Sequence, residues 1–438
     1  MLGAKNSVEV EIRNQRGELV ATVKPGDRSL KLKTTSTVDL RPLKRLDQFE
    51  HIELMGPAIL PDRLPGLRTL IVGDMVMNPD VIPNFTELRT LSPGIGCWFE
   101  SLDFVKRMPE LEHLEIALQK IDDLKPLQTL GRLRVLHISH AWRCDLAPLG
   151  TMTQLEELQI DSYRKGLQHV RGLVKLHTFR LYEGHSKHLN MLRDMHRLRV
   201  LSVLGGVSDV SVLRELPQLE DLSLRRTRVD DQAITALEAL PNLTRLSLMH
   251  VDRVTDIAPV GALRHLRDLN LIQMKGPLRT LRPLVNLTEL EVLHLGGTEV
   301  ADRNLSPLFK LAHLKELSVG AYSDQEEAEL KRHFPDAHVS VHRVPGPDQY
   351  LQLGEVRAWK PAPGLPQFWI SHDFADALKV SEQAEAERRI ARAFKAKHPT
   401  LAAAVEYDSE GSEFVAYAKS EEVIRALADV INDLIRSA

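Results

Sequence analysis

Apolar and polar positions along this chain fall into one recurring phrase, L-x-x-L-x-L. It appears as LRTLIV, LEHLEI, LRVLHI, LEELQI, LHTFRL, LRVLSV, LEDLSL, LTRLSL, LRDLNL, LEVLHL and LKELSV. A degenerate copy, LRTLSP, starts at Leu88, and an earlier one, FEHIEL, starts at Phe49. From Leu67 to Leu314 the starts lie 21 to 24 residues apart. Recurrence at such a period marks stacked supersecondary units, none of which buries its apolar face alone. Successive strand side chains point to opposite faces. The phrase therefore predicts a short strand whose fourth and sixth positions enter a core, while its third, fifth and seventh face outward.

A second register runs between the strands. Pro42, Pro126, Pro148, Pro259, Pro283 and Pro307 each stand seven residues before a copy, and Pro65, Pro109, Pro217 and Pro241 stand two before. Proline has no N–H for a ladder, so these positions belong to turns and one-turn helices on the far side of each coil. The spacing of Leu124, Leu127 and Leu130 suits a short 3₁₀ turn.

These residues resemble the leucine-rich repeat family, in its short class of about 22 residues per repeat. The resemblance spans roughly residues 37–345. It implies an α/β fold, a curved solenoid with a parallel sheet on its concave face. One departure stands out. The family's ninth-position asparagine, which ties down the turn backbone, is replaced by Met75, Gln119, Ala141, Tyr163, Gly184, Gly206, Thr227, Val251, Met274, Thr298 and Tyr322. Thr227 and Thr298 are the partial substitutes; elsewhere water or backbone must satisfy the turns.

The ends differ from the middle. Residues 1–36 carry VEVEI, LVATVK and SLKLKT between turn sequences, a β-rich cap for the first coil. Repeats fill 37–323, and residues 324–347 read as a helix–strand cap and a proline-flanked linker. Residues 348–438 lose the leucine period. Two helical patterns with Ser381 and Ser420 as N-caps, a strand in PQFWISHDF and a hairpin, AAAVEYD/SEFVAYAK, predict a small α+β domain of order β-α-β-β-α. Its stretch VEYDSEGSEFVAYAKSEEVIRALADVI is similar to small bacterial immunity-type domains, which neutralise toxins by binding them. That resemblance implies an interface at the acidic turn residues Asp408, Glu410 and Glu413.

Composition narrows the classes. A length of 438 residues exceeds one compact core. A net charge of −3 argues against a generally basic nucleic-acid binder. From Gly346 onward there are fifteen acidic and eleven basic residues. No signal-like N-terminus or long apolar run is present, and only Cys97 and Cys144 occur, two coils apart. A cytosolic chain with free thiols, bound neither to membrane nor to nucleic acid, is expected.

Chemistry finds little footing. No phosphate-binding glycine loop, no G-x-S-x-G and no zinc-type cysteine spacing occurs, so no cofactor or metal is expected. His372 with Asp373 and Asp376 is the strongest acid–base candidate, yet only a pocket would give it meaning. His113, His137, His140, His250 and His294 fall at or beside outward strand positions. The outward rows are richer in interface chemistry. Asp161, Arg180, Tyr182, Arg225, Arg245 and Met249 combine aromatic, arginine and apolar anchors, and Ser202, Ser223, Ser247 and Ser318 leave a shallow trough beside them. The sequence thus predicts a non-catalytic, monomeric bacterial scaffold that binds a protein partner on its concave sheet. The alternative is a toxin neutraliser acting through the C-terminal domain.

Overall fold

The computed structural model describes all residues except 1–8, 47, 95, 185, 252, 275, 322, 344–349, 354–355, 361–366, 373–377, 379–382, 408–413 and 438. It divides into a repeat unit and a C-terminal unit.

The repeat unit is built on a 15-stranded sheet. Neighbouring strands pair in parallel without register shifts, as in Leu158↔Phe179, Phe179↔Leu201 and Leu201↔Leu222. Repeat-start leucines from Leu67 to Leu290 are fully buried, as are nearly all fourth- and sixth-position residues. Alternation decides this: in Glu157–Asp161 the even positions Leu158 and Ile160 are buried and the odd ones half-exposed. Thr178, also aimed outward by alternation, is instead buried between its register neighbours Glu157 and Val200. On the far side, short 3₁₀ helices such as Lys125–Thr129, Ala147–Thr151 and Ala258–Ala262 begin at the prolines of the second register. There a missing N–H costs nothing.

The first strand of this sheet is Ser29–Lys33, paired in parallel with His51–Met55. It lies within the stretch grouped with the N-terminal cap from sequence. Its SLKLK alternation buries Leu30 while Lys31 and Lys33 stay exposed, so it presents an apolar face to the first coil without the leucine phrase. A separate four-stranded sheet combines Val10–Asn14, Leu19–Val23, Val38–Asp39 and Ala58–Ile59. At the opposite end lie helix Asp324–His333 and strand His338–Arg343, with Leu330 and Phe334 buried.

The missing asparagines are answered mainly by backbone. At the eighth position of successive coils the chain turns left-handed: His140, Ser162, Glu183, Gly205, Arg226, His250, Gln273 and Gly297 all have positive φ. From that turn the N–H reaches the seventh-position carbonyl of the next coil, as in Ser162 to Tyr182, Glu183 to Leu204, Gly205 to Arg225 and His250 to Ile272, all at 2.9–3.0 Å. A left-handed non-glycine residue costs on the order of 1 kcal/mol, and an intramolecular hydrogen bond returns about as much. The turn is therefore tolerated without asparagine. Thr298 does act as the substitute: its hydroxyl accepts from Met274 N–H at 3.0 Å and donates to the Leu271 carbonyl. Thr227 does not, for its buried Oγ1 has no hydrogen-bond partner among the described residues.

The C-terminal unit holds a five-stranded antiparallel sheet ordered Tyr350–Leu353, Val356–Trp359, Phe368–His372, Phe414–Ala418, Val405–Tyr407. Helices Gln383–Lys397 and Glu421–Ser437 share its core. Ile370, Phe394, Phe414, Ile424, Leu427 and Ile431 are completely buried there. The α+β class expected from sequence holds, but two strands precede those foreseen. LQLGEVRAW alternates about Gly354-Glu355, and its halves pair antiparallel. Ser420 Oγ accepts from Val423 N–H at 3.4 Å as a cap, whereas Ser381 lies outside the described residues.

Candidate functional site

The outward rows of the long sheet are set by register. In the seventh-position row Asp161, Tyr182, Leu204 and Arg225 are direct neighbours on four strands. Met249 continues the row, its carbonyl accepting from Arg226 N–H at 3.0 Å. In the fifth-position row Arg180, Ser202, Ser223 and Ser247 follow one another, and in the third Asp221, Arg245 and Asp268. Asp161, Tyr182, Leu204 and Met249 are half-buried and Arg225 is exposed. The three serines put short hydroxymethyl groups side by side on adjacent strands.

The three arginines differ in availability. Arg225 makes no side-chain hydrogen bond or ion pair among the described residues. Arg245 is held by Asp221, Nε to Oδ2 at 2.8 Å. Arg180 bonds the Glu157 carboxylate through Nη1, and His137 Nε2 meets the same Oε1 at 2.8 Å. Burial pushes Glu157 up, but hydrogen bonds from His137 and Arg180 outweigh it and hold the carboxyl below its ordinary value. Arg180 and Arg245 are thus partly committed within the face; Arg225 is open.

Two carboxyls are under-compensated. Asp161 is pushed up, chiefly by burial and further by Glu183, although Ser162 Oγ donates to it at 2.9 Å. Asp268 is raised by burial first, with Asp221 and Glu316 adding to it and His294 and Arg245 opposing. Farther toward the N-terminus, Ser92 Oγ donates to Glu115 Oε2 at 2.9 Å, and the rings of His113 and His137 meet edge-on at 5.5 Å. Beyond the strand ends the His140 and Trp142 rings meet at 4.9 Å.

Glu157 and its link to His137 and Arg180 were not singled out from sequence. The signal was a diagonal: histidine at a fifth position, glutamate at the next third, arginine at the following fifth. Among the described residues no group of three or more His, Cys, Asp or Glu is placed to hold a metal ion. Nor is any helix among them long and apolar enough to cross a membrane. Cys97 and Cys144 are free and buried, and burial pushes both thiols up to about 11. Asp408, Glu410 and Glu413 of the alternative interface lie outside the described residues, as do Asp373 and Asp376.

No model of a known protein family matches the chain. A putative adenylate cyclase regulatory protein of Trypanosoma equiperdum is similar, 26% identical over 207 residues, covering 47% of this chain and 30% of that protein. The match spans less than a third of that relative's length. Among solved structures, an internalin from Listeria monocytogenes superposes with TM-score 0.53 and 19% identity over 68% of this chain and 90% of its own. A leucine-rich repeat protein of Leptospira interrogans does so with TM-score 0.55 and 18% identity, over 72% and 89%. Such identities speak for the fold alone. Together with the 15-stranded parallel sheet, they establish that the chain folds as a leucine-rich repeat solenoid with a small α+β unit at its C-terminal end.

Proposed function

We propose that this chain is a cytosolic, non-catalytic and monomeric scaffold that binds a protein partner on the strand face of its solenoid. The carrying observation is the row Tyr182, Leu204, Arg225 on three adjacent strands: an aromatic, an aliphatic and an uncommitted guanidinium beside a row of small serines. Tyr and Arg are the side chains most often dominant in interfaces, because each brings large contact area with a directional donor. Asp161 and Asp268, raised by burial, gain most from cations supplied by a partner.

The test is photo-crosslinking from benzoylphenylalanine placed singly at Ser202, Ser223 and Ser247 on the face, at Ser306 and Val285 on the far side, and at Glu410 and Glu413 of the C-terminal unit. Partner adducts from the face positions alone support the reading. Adducts from the far side alone, or from the acidic hairpin at Glu410 and Glu413 alone, contradict it. The hairpin outcome would transfer the activity to the C-terminal unit.

A further inference from the structure

We propose that His113 and His137 form a proton-operated switch on the strand face, changing the charge offered to a partner as the medium turns mildly acidic; this rests on the strand-face reading above. Both residues sit on adjacent strands, His113–Ala117 and Val135–Ser139, with rings 5.5 Å apart edge to face. His137 Nε2 engages Glu157 at 2.8 Å, and Arg180 holds that carboxylate from the other side. The His113 imidazole makes no hydrogen bond among the described residues, while its backbone N–H donates to the Arg89 carbonyl at 2.9 Å. From its own strand it faces Glu115, which already takes the Ser92 hydroxyl. The strand Thr90–Ser92 offers it only hydroxyls, and His137 and Glu157 approach from the other flank.

The physical asymmetry follows from these neighbours. Burial and then His137 push the His113 imidazole below its ordinary 6.5, while Glu115 and Glu157 oppose them. Two imidazolium ions at this separation repel in a partly desolvated strip, so charging either ring works against the other. With His113 uncharged, the carboxylates of Glu115 and Glu157 outnumber the guanidinium of Arg180 on this strip. A partner bringing a lysine or arginine to this strip is held there. On acidification His113 takes a proton at the centre of the strip, which cancels that excess of negative charge and loosens the hold on the same partner.

The experiment titrates full-length protein carrying ¹³Cε1-labelled histidine by NMR from pH 8 to 5, signals assigned by single His→Gln substitutions. The expected result is a His113 midpoint below 6.5 that moves up in His137→Gln and down in Glu115→Gln. Opposite shifts from two neutral substitutions are not produced by misfolding. A His113 that titrates at the ordinary value, unmoved by either change, overturns the proposal. Local charge is read separately from broadening of the His137 signal by a cationic nitroxide relative to a neutral one. That ratio should fall on going from pH 7.5 to 5.5 in the native protein by more than in His113→Gln; equal falls overturn the switch. A partner found bound elsewhere would sink the strand-face reading and leave both titrations standing, so the two failures are distinguishable.

Discussion

Replacing Leu222 by alanine isolates what holds the repeat unit together. Leu222 is completely buried, and its register neighbours are Leu201 and Leu246 on the flanking strands. The change removes three carbons from that stack, worth about 0.8 kcal/mol each and roughly 2.4 kcal/mol in transfer alone. Because parallel strands on both sides fix the gap, little collapse is available, and the cavity raises the cost to about 2–5 kcal/mol. One residue along, Ser223 points to the opposite face between Ser202 and Ser247, and its replacement by alanine should cost no more than about 0.5 kcal/mol. Each coil touches only its neighbours, so the loss should weaken the middle of the array first. Urea melts followed by circular dichroism, with hydrogen exchange resolving the coils, measure both. Equal destabilisation by the two substitutions would refute the inward–outward assignment on which the face rests.

Thr298→Val should cost about 1–3 kcal/mol, because it strands the buried Met274 N–H and Leu271 carbonyl, whereas Thr227→Val at the equivalent position should be neutral or stabilising in the same melts. Asp161→Asn should raise the urea midpoint at pH 7 and not at pH 3. A carboxyl raised in the fold is worth stability only while protonated and loses it as pH rises through the folded value. The loss of protonated-state preference at His113 runs the other way: its lowered folded pKa gives stability that is present above 6.5 and lost as pH falls, so His113→Gln should flatten the melting curve's pH dependence between 7 and 5. Residues 343–438, expressed alone, should give dispersed amide signals, since Phe394, Phe414, Ile424 and Ile431 belong to one buried core cluster drawn from that stretch; a collapsed spectrum would contradict this.

Leucine spacing made the solenoid legible because burial there depends on one side chain at a time. Leu222 must be apolar whatever lies beside it. The eighth-position left-handed turn was hidden because only Gly205 and Gly297 advertise it, while His140, Glu183 and Gln273 adopt the same conformation. Its stabilising partner is a backbone carbonyl one coil away, and backbone leaves no residue signature. Ser29–Lys33 escaped the repeat count because an end strand packs on one side only and needs fewer leucines. On the face itself, alternation placed Asp161, Tyr182 and Arg225 in one row. It did not distinguish the open Arg225 from Arg180 and Arg245. That distinction depends on which carboxylate a flexible guanidinium reaches across neighbouring strands.

The central claim is recognition by the strand face, and the most direct measurement is the affinity of a crosslinked partner for two sets of variants. Arg225→Glu and Tyr182→Ala should each lower affinity at least about tenfold, roughly 1.4 kcal/mol, with Arg225→Glu also weakening the salt dependence. Glu410→Lys combined with Glu413→Lys should leave affinity unchanged. A partner indifferent to Arg225 and Tyr182 but lost on reversing Glu410 and Glu413 would contradict the account and make the solenoid a support for the C-terminal unit.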